Sequence, residues 1–223
     1  MKKSSILSAI LACGLLSATP VSAGNLYVSG SVGLNAPTNS VTNYSYSSNS
    51  EDVTYFLKSG GALLGAVGCD YGSFRLEGEL GYQTFKVNQA TAIYNGGAPN
   101  VIAASGNGHV FSFLANGYYD LPVGKSIKPY VTAGVGLANV RFADLSFYEN
   151  APTYDMDSTA LAYQIGAGVA VPVSKKVTID ARYRYFGTGL FNIPEFAVAV
   201  YNPVGCETSF HTHQVLLGMR VDL

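Results

Sequence analysis

The chain has 223 residues with 13 Lys+Arg against 14 Asp+Glu, a formal net charge of −1 at pH 7. It carries no basic excess and no run of Lys or Arg, which excludes an electrostatic nucleic-acid binder. Charged residues are only 12% while Gly (25), Tyr (16) and Phe (11) abound, so one β-rich domain is expected.

At the front, Lys2 and Lys3 precede an apolar stretch over 4–16, and Val21-Ser22-Ala23 puts small residues at cleavage positions. That is the pattern of a secretory signal peptide. The domain is therefore expected over 24–223. A lipoprotein reading on Cys13 is weaker, because Leu11 is bulky and the cut would shorten the apolar stretch. No later segment approaches the roughly 20 apolar residues of a membrane helix.

From residue 25 onward, alternating segments come in pairs. Leu26, Val28, Val32 and Leu34 alternate with Tyr27, Ser29 and Ser31 in a first strand over 25–34. A second, over 60–69, alternates weakly and its facing stays ambiguous. The third, over 73–87, is the clearest: Phe74, Leu76, Leu80 and Tyr82 against Arg75, Glu77, Glu79 and Gln83. The fourth, over 109–120, sets Phe111, Phe113 and Tyr119 against Ser112, Asn116 and Asp120. The fifth, over 129–142, sets Val131, Val135 and Leu137 against Thr132, Gly134 and Gly136. The sixth, over 159–171, sets Leu161, Tyr163, Ile165 and Val169 against Gln164, Gly166 and Gly168. The seventh, over 177–186, sets Ile179, Tyr183 and Tyr185 against Asp180, Arg182 and Arg184. The eighth, over 210–223, sets Val215, Leu217, Met219 and Val221 against Gln214, Gly218, Arg220 and Asp222.

The joints within pairs are short, at 70–73, 121–128 and 172–176. Those between pairs, at 36–59, 88–108, 143–158 and 188–209, are long and polar, and read as irregular loops. Eight strands with short turns at one end and long loops at the other is the asymmetry of an outer-membrane barrel. The expected fold is all-β, an eight-stranded antiparallel up-and-down transmembrane β-barrel. A soluble barrel would turn its apolar face inward; three features favour the membrane arrangement. The polar faces are Gly-rich, as a narrow interior requires. They carry both charge signs, so a confined lumen can neutralise itself. Aromatics (Tyr82, Phe85, Phe111, Tyr119, Tyr130, Tyr183, Tyr185) gather near strand ends, where interfacial girdles belong.

In this topology Cys69 lies near a short turn and Cys206 in the last long loop, across an apolar band about 25 Å tall. A disulfide needs Cα atoms within about 7 Å, so two unpaired thiols are expected.

Certain blocks are specific. Phe74-Arg75-Leu76-Glu77-Gly78-Glu79-Leu80-Gly81-Tyr82, Lys128-Pro129-Tyr130-Val131-Thr132-Ala133-Gly134-Val135-Gly136 and Asp180-Ala181-Arg182-Tyr183-Arg184-Tyr185-Phe186 resemble strands three, five and seven of an eight-stranded outer-membrane barrel family. That family includes opacity-type proteins and rickettsial surface antigens. The resemblance spans nearly the whole domain and implies a surface protein of the bacterial outer membrane: an adhesin, an immune target or a small porin. It adds no catalytic residue. Chains of this type usually finish on an aromatic residue; this one finishes on Leu223.

Candidate sites follow. The inward charges Arg75, Glu77, Glu79, Asp180, Arg182, Arg184, Arg220 and Asp222 read either as an ion path or as a salt-bridged plug. Because eight strands enclose an interior that side chains nearly fill, the plug is favoured. The loops are where partners would dock. Tyr44 and Tyr46 in a Ser/Asn-rich loop offer amphipathic contact surface, or are simply solvated. Phe196 and Tyr201, with Ile193, Val198 and Val200, read as a cover over the barrel mouth or as an exposed receptor patch. His211 and His213 share one strand face near Ser209, but a hydrolase needs a fixed base and orienting group, so polar rim residues are the favoured reading. Gly124-Lys125-Ser126 lacks the upstream glycine of a phosphate loop.

The expectation is a surface barrel with a closed or narrow lumen that displays four loops to host or environmental partners. A small porin is the alternative and a lipid-modifying enzyme a weaker one. No catalytic residue, metal or cofactor is expected. The expected partners are outer-membrane lipid and a receptor met through the loops, with no nucleic acid and with a monomer favoured.

Overall fold

The structure is a computed structural model, and it describes residues 24–45, 50–123, 126–147, 153–192 and 205–223. The signal-peptide segment with Cys13, Tyr46, Gly124-Lys125 and the apolar run with Phe196 and Tyr201 lie outside the described residues.

Eight strands form the ring: β1 (Asn25–Pro37), β4 (Gly60–Asp70), β5 (Phe74–Tyr94), β7 (Ser105–Asp120), β8 (Lys128–Ser146), β9 (Tyr154–Pro172), β10 (Val177–Thr188) and β13 (His211–Asp222). Each pairs antiparallel with its chain neighbour. The ring closes where β1 meets β13, from Tyr27 opposite Asp222 to Pro37 opposite Thr212. Closure leaves no edge to face lipid.

The facing matches the expectation. Leu34 is 72% exposed, Leu161 74% and Leu217 62%, while Glu79 and Arg184 are at 1% and 0%. The second strand's facing is now resolved: Ala62 and Leu64 point inward, Leu63 and Val67 outward. Phe85 and Tyr130 depart from the girdle expectation. Both occupy the inward phase of their strands and are buried in the lumen. Inward glycines make the narrow ring possible. A Cβ on Gly136 would come within 2.0 Å of the Phe113 carbonyl oxygen, and one on Gly134 within 1.9 Å of Asn116 Oδ1.

The long connections are not irregular. β2 (Ser40–Ser45) and β3 (Ser50–Lys58) form a hairpin whose second strand pairs with the upper half of β5. β6 (Asn100–Ile102) also pairs with β5, and β12 (Gly205–Thr208) joins β11 (Phe191–Asn192) to β2. The ladder therefore continues past the membrane band as an outer extension. Its polarity is reversed. In the band, apolar residues point outward; in the extension, Tyr44, Val53, Tyr55, Val87, Ala90, Val140, Phe142 and Met156 point inward and form one core. Lipid demands an apolar exterior, whereas water demands an apolar interior. The same strand must switch phase as it leaves the bilayer, and this switch made the outer halves read as loops.

The two cysteines sit at opposite ends. Cys69 is a free thiol opposite Leu26 on β1, beside the short turn. Cys206 lies on β12 opposite Tyr44 in the outer extension.

Candidate functional site

The lumen has two storeys. The lower one holds charge. Arg184 Nη1 donates to Glu79 Oε1 at 2.7 Å from the opposite wall of the ring, while Arg182 Nη2 lies 3.8 Å from Glu79 Oε2. Arg184 Nε also donates to Gln214 Oε1 at 2.5 Å, and Arg182 Nη1 to the Tyr118 hydroxyl. Asn116 donates to Glu79 at 3.3 Å and in turn accepts from Gln164 at 3.0 Å. Nearer the short turns, Arg75 pairs with Asp120 at 2.7 Å and stacks over the rings of Tyr118 and Tyr130. Tyr27 donates to Glu77 at 2.8 Å and Tyr130 to Asp180 at 3.2 Å. Arg220 lies 3.7 Å from Asp70 and 3.9 Å from Asp222.

All eight charged positions read from the sequence thus face the lumen wall or its lower rim, but they do not pair only with one another. Asp70 and Asp120 supply two of the counter-charges, and Tyr27, Tyr118, Asn116 and Gln164 supply hydrogen bonds. Asp120, Asn116 and Tyr118 sit in the polar phase of their strand, so period-two counting could have added them. Asp70 reads as a turn residue, and its partner is set only by ring closure. A cavity of about 10 Å³ remains among Ser29, Arg75, Glu77, Asp180, Arg182 and Arg220. That holds one water at most.

The upper storey is apolar. Phe85 from β5, Phe210 ahead of β13 and Phe142 from β8 meet across the lumen. The Phe85 and Phe210 rings are 5.0 Å apart and nearly parallel; Phe85 and Phe142 are 5.5 Å apart, edge to face. Phe186, Val110, Leu114 and Leu145 fill the rest and are fully buried. Gly108 admits the Phe85 ring, since a Cβ there would stand 2.1 Å from it.

Tyr44 differs from its expected role as a solvated contact. It is 5% exposed and its hydroxyl lies 3.1 Å from that of Tyr55. The reason is the phase switch: Tyr44 belongs to the inward face of the extension. His211 and His213 point outward. The Tyr183 hydroxyl is 2.6 Å from His213 Nδ1, and the His211 ring stacks on Tyr185 with centroids 5.8 Å apart. On the opposite side of the ring, Tyr82 hydrogen-bonds His109 Nδ1 at 2.8 Å. These pairs form part of the outer aromatic girdle.

An apolar waist, aromatic rims, a closed antiparallel ring and a paired polar lumen define a transmembrane β-barrel of the bacterial outer membrane. The chain belongs to the outer membrane protein beta-barrel domain family, whose model matches residues 5–220. It is similar to outer membrane protein PagN of Salmonella typhimurium, 28% identical over 114 residues, which cover 48% of this chain and 47% of PagN. The chain spans about half the length of the curated relatives it matches. Two solved structures share the fold. OprG from Pseudomonas aeruginosa has a TM-score of 0.54 at 14% identity, covering 90% of this chain and 97% of OprG. The outer membrane protease OmpT from Escherichia coli has a TM-score of 0.54 at 9% identity, covering 94% of this chain and 99% of OmpT. The protein is a surface barrel of the outer membrane.

Proposed function

We propose that this barrel is a closed anchor whose work is done by its outer β-extension: contact with host or environmental partners, rather than solute passage or catalysis. One observation carries the reading. Both storeys of the lumen are filled, the lower by ion pairs and the upper by aromatic rings from β5, β8 and the start of β13. A filled lumen leaves the extension, including the β2–β3 hairpin, as the part presented to other molecules. The charge network is then structural, and Tyr44 shapes the hairpin from within. The remaining contact candidates are Tyr46, Phe196 and Tyr201. The reading is non-catalytic because His211 and His213 are engaged with girdle tyrosines on the outer wall.

The test has two arms. The folded protein is inserted into a planar bilayer, where no discrete conductance steps are expected. Cells displaying the intact barrel are compared with cells whose barrel lacks residues 46–49 and 193–204 for adherence to host cells or abiotic surfaces. Loss of adherence with the barrel still inserted supports display; discrete ion-selective steps in the wild type would replace it with the porin reading.

A further inference from the structure

The outer wall carries one arrangement that the anchor reading leaves unused. Lys58 on β3 and Lys86 on β5 are directly opposite one another in the ladder. Both are exposed on the outward face. Directly opposed residues have Cβ atoms only about 5 Å apart, and like charges there are destabilising. Neither lysine is in an ion pair with a described residue. On the next strand, exposed Asn107 stands opposite Lys86, so two cations and an amide form one row across β3, β5 and β7. The acidic residues of the same hairpin are far off: Asp52 is opposite Ile93, at the other end of β3. On the neighbouring wall, Arg141 is already paired with Asp155 at 2.7 Å. Among the described residues, the row is a cationic site without its counter-charge.

Its height points to the occupant. Tyr82, stacked on His109 with centroids 5.9 Å apart, marks the outer aromatic girdle. Lys86 is four residues above Tyr82, about 13 Å along the strand at about 3.3 Å per residue. With strands tilted by about 40°, that is about 10 Å of height. The lysines therefore stand in the headgroup layer, above the acyl boundary and below the tips of the extension. We propose that Lys58 and Lys86 clamp a phosphate group of the anionic lipids of the outer leaflet, with Asn107 as an additional donor. The phosphate neutralises the opposed lysines and fixes the barrel wall to the lipid beneath the displayed hairpin.

The folded protein is reconstituted in phosphatidylcholine vesicles containing either bisphosphorylated lipid A or its dephosphorylated form, and bound lipid is counted by native mass spectrometry after gentle detergent release. Retention of the phosphorylated lipid alone is expected. The variant Lys58→Gln/Lys86→Gln should retain it about tenfold less or worse, whereas Lys175→Gln/Lys176→Gln, at the opposite end, should match the wild type. Lys58→Arg/Lys86→Arg should keep binding. If the Gln variant fails to fold, amine acetylation of the wild type decides: phosphorylated lipid A should protect Lys58 and Lys86 and leave Lys175 and Lys176 reactive. Equal retention of the dephosphorylated lipid, or no protection, overturns the proposal. So does displacement of the lipid by inorganic phosphate or a soluble sulfated polysaccharide, which would assign the row to a soluble anion.

Discussion

Glu79 has 1% of its side chain exposed and is held between Arg184 at 2.7 Å and Arg182 at 3.8 Å. A charge in that position is tolerable only while its partners remain, because removing one member of a buried pair costs about 3–5 kcal/mol. Arg184→Met should therefore lower stability by about 3 kcal/mol, read as a shift in the urea midpoint of the refolded barrel in lipid vesicles. Glu79→Leu combined with both Arg182→Met and Arg184→Met, which strands no buried charge, should recover most of that loss; a triple variant as weak as the single one would refute the ion-pair account. Glycines give a second contrast at this scale. Gly136 faces the Phe113 carbonyl, with a Cβ 2.0 Å away, whereas a Cβ on Gly78 meets nothing within 4 Å. Gly136→Ala should cost about 1–3 kcal/mol as strands β7 and β8 move apart. Gly78→Ala should stay within about 0.5 kcal/mol on the same unfolding measurement.

Single strands here serve two solvents. β5 shows Phe74, Leu76, Leu80 and Tyr82 to lipid, then exposes Lys86 and Asn88 above the apolar band while Phe85, Val87, Ala90 and Ala92 turn inward. β8 does the same, with Val131, Val135 and Leu137 outward below and Val140 and Phe142 inward above Arg141. The lower halves were legible in the sequence because a bilayer enforces strict alternation of apolar and polar residues. The upper halves were not, because a polar exterior in water resembles loop composition. At the β8–β9 tip, Asp155 accepts from the Asp144 amide at 3.1 Å and from Arg141 at 2.7 Å. The Asp144 amide, and then the Arg141 guanidinium, hold its carboxyl below the ordinary value of 3.8. A depressed carboxylate pKa contributes stability above the ordinary value and loses it as pH falls through the lower, folded one. The tip should therefore stay closed at pH 5 and above, in the sense set by that lowered pKa, and loosen below about pH 4. Hydrogen exchange of the Asp144 amide reads this; protection that persists unchanged into strong acid would show that the carboxylate does not hold the tip.

Across the whole molecule, the ring brings together residues that are far apart in the chain. Glu79 and Arg184 are 105 residues apart, and Phe85 meets Phe210 at the centre of the upper lumen. An apolar constriction excludes ions by resisting wetting. Phe85→Ser with Phe210→Ser should thus admit water to the upper storey yet give no discrete conductance steps in a planar bilayer, because the charge layer below still blocks ions. Discrete steps from the folded double variant would mean that the aromatic rings alone seal the barrel.

The strand count, the outward apolar face, the inward charges and the outer-membrane location could all be read from alternation, turn lengths and glycine placement. These are local consequences of a period-two backbone between lipid and lumen. The tertiary structure alone decided the rest: that Asp70 and Asp120 neutralise Arg220 and Arg75, that aromatic rings meet across the upper lumen, that Tyr44 points inward, and that Lys58 and Lys86 stand directly opposite one another. Those facts depend on register between strands and on what stands across the ring. Neither is encoded in the spacing of residues along a single strand.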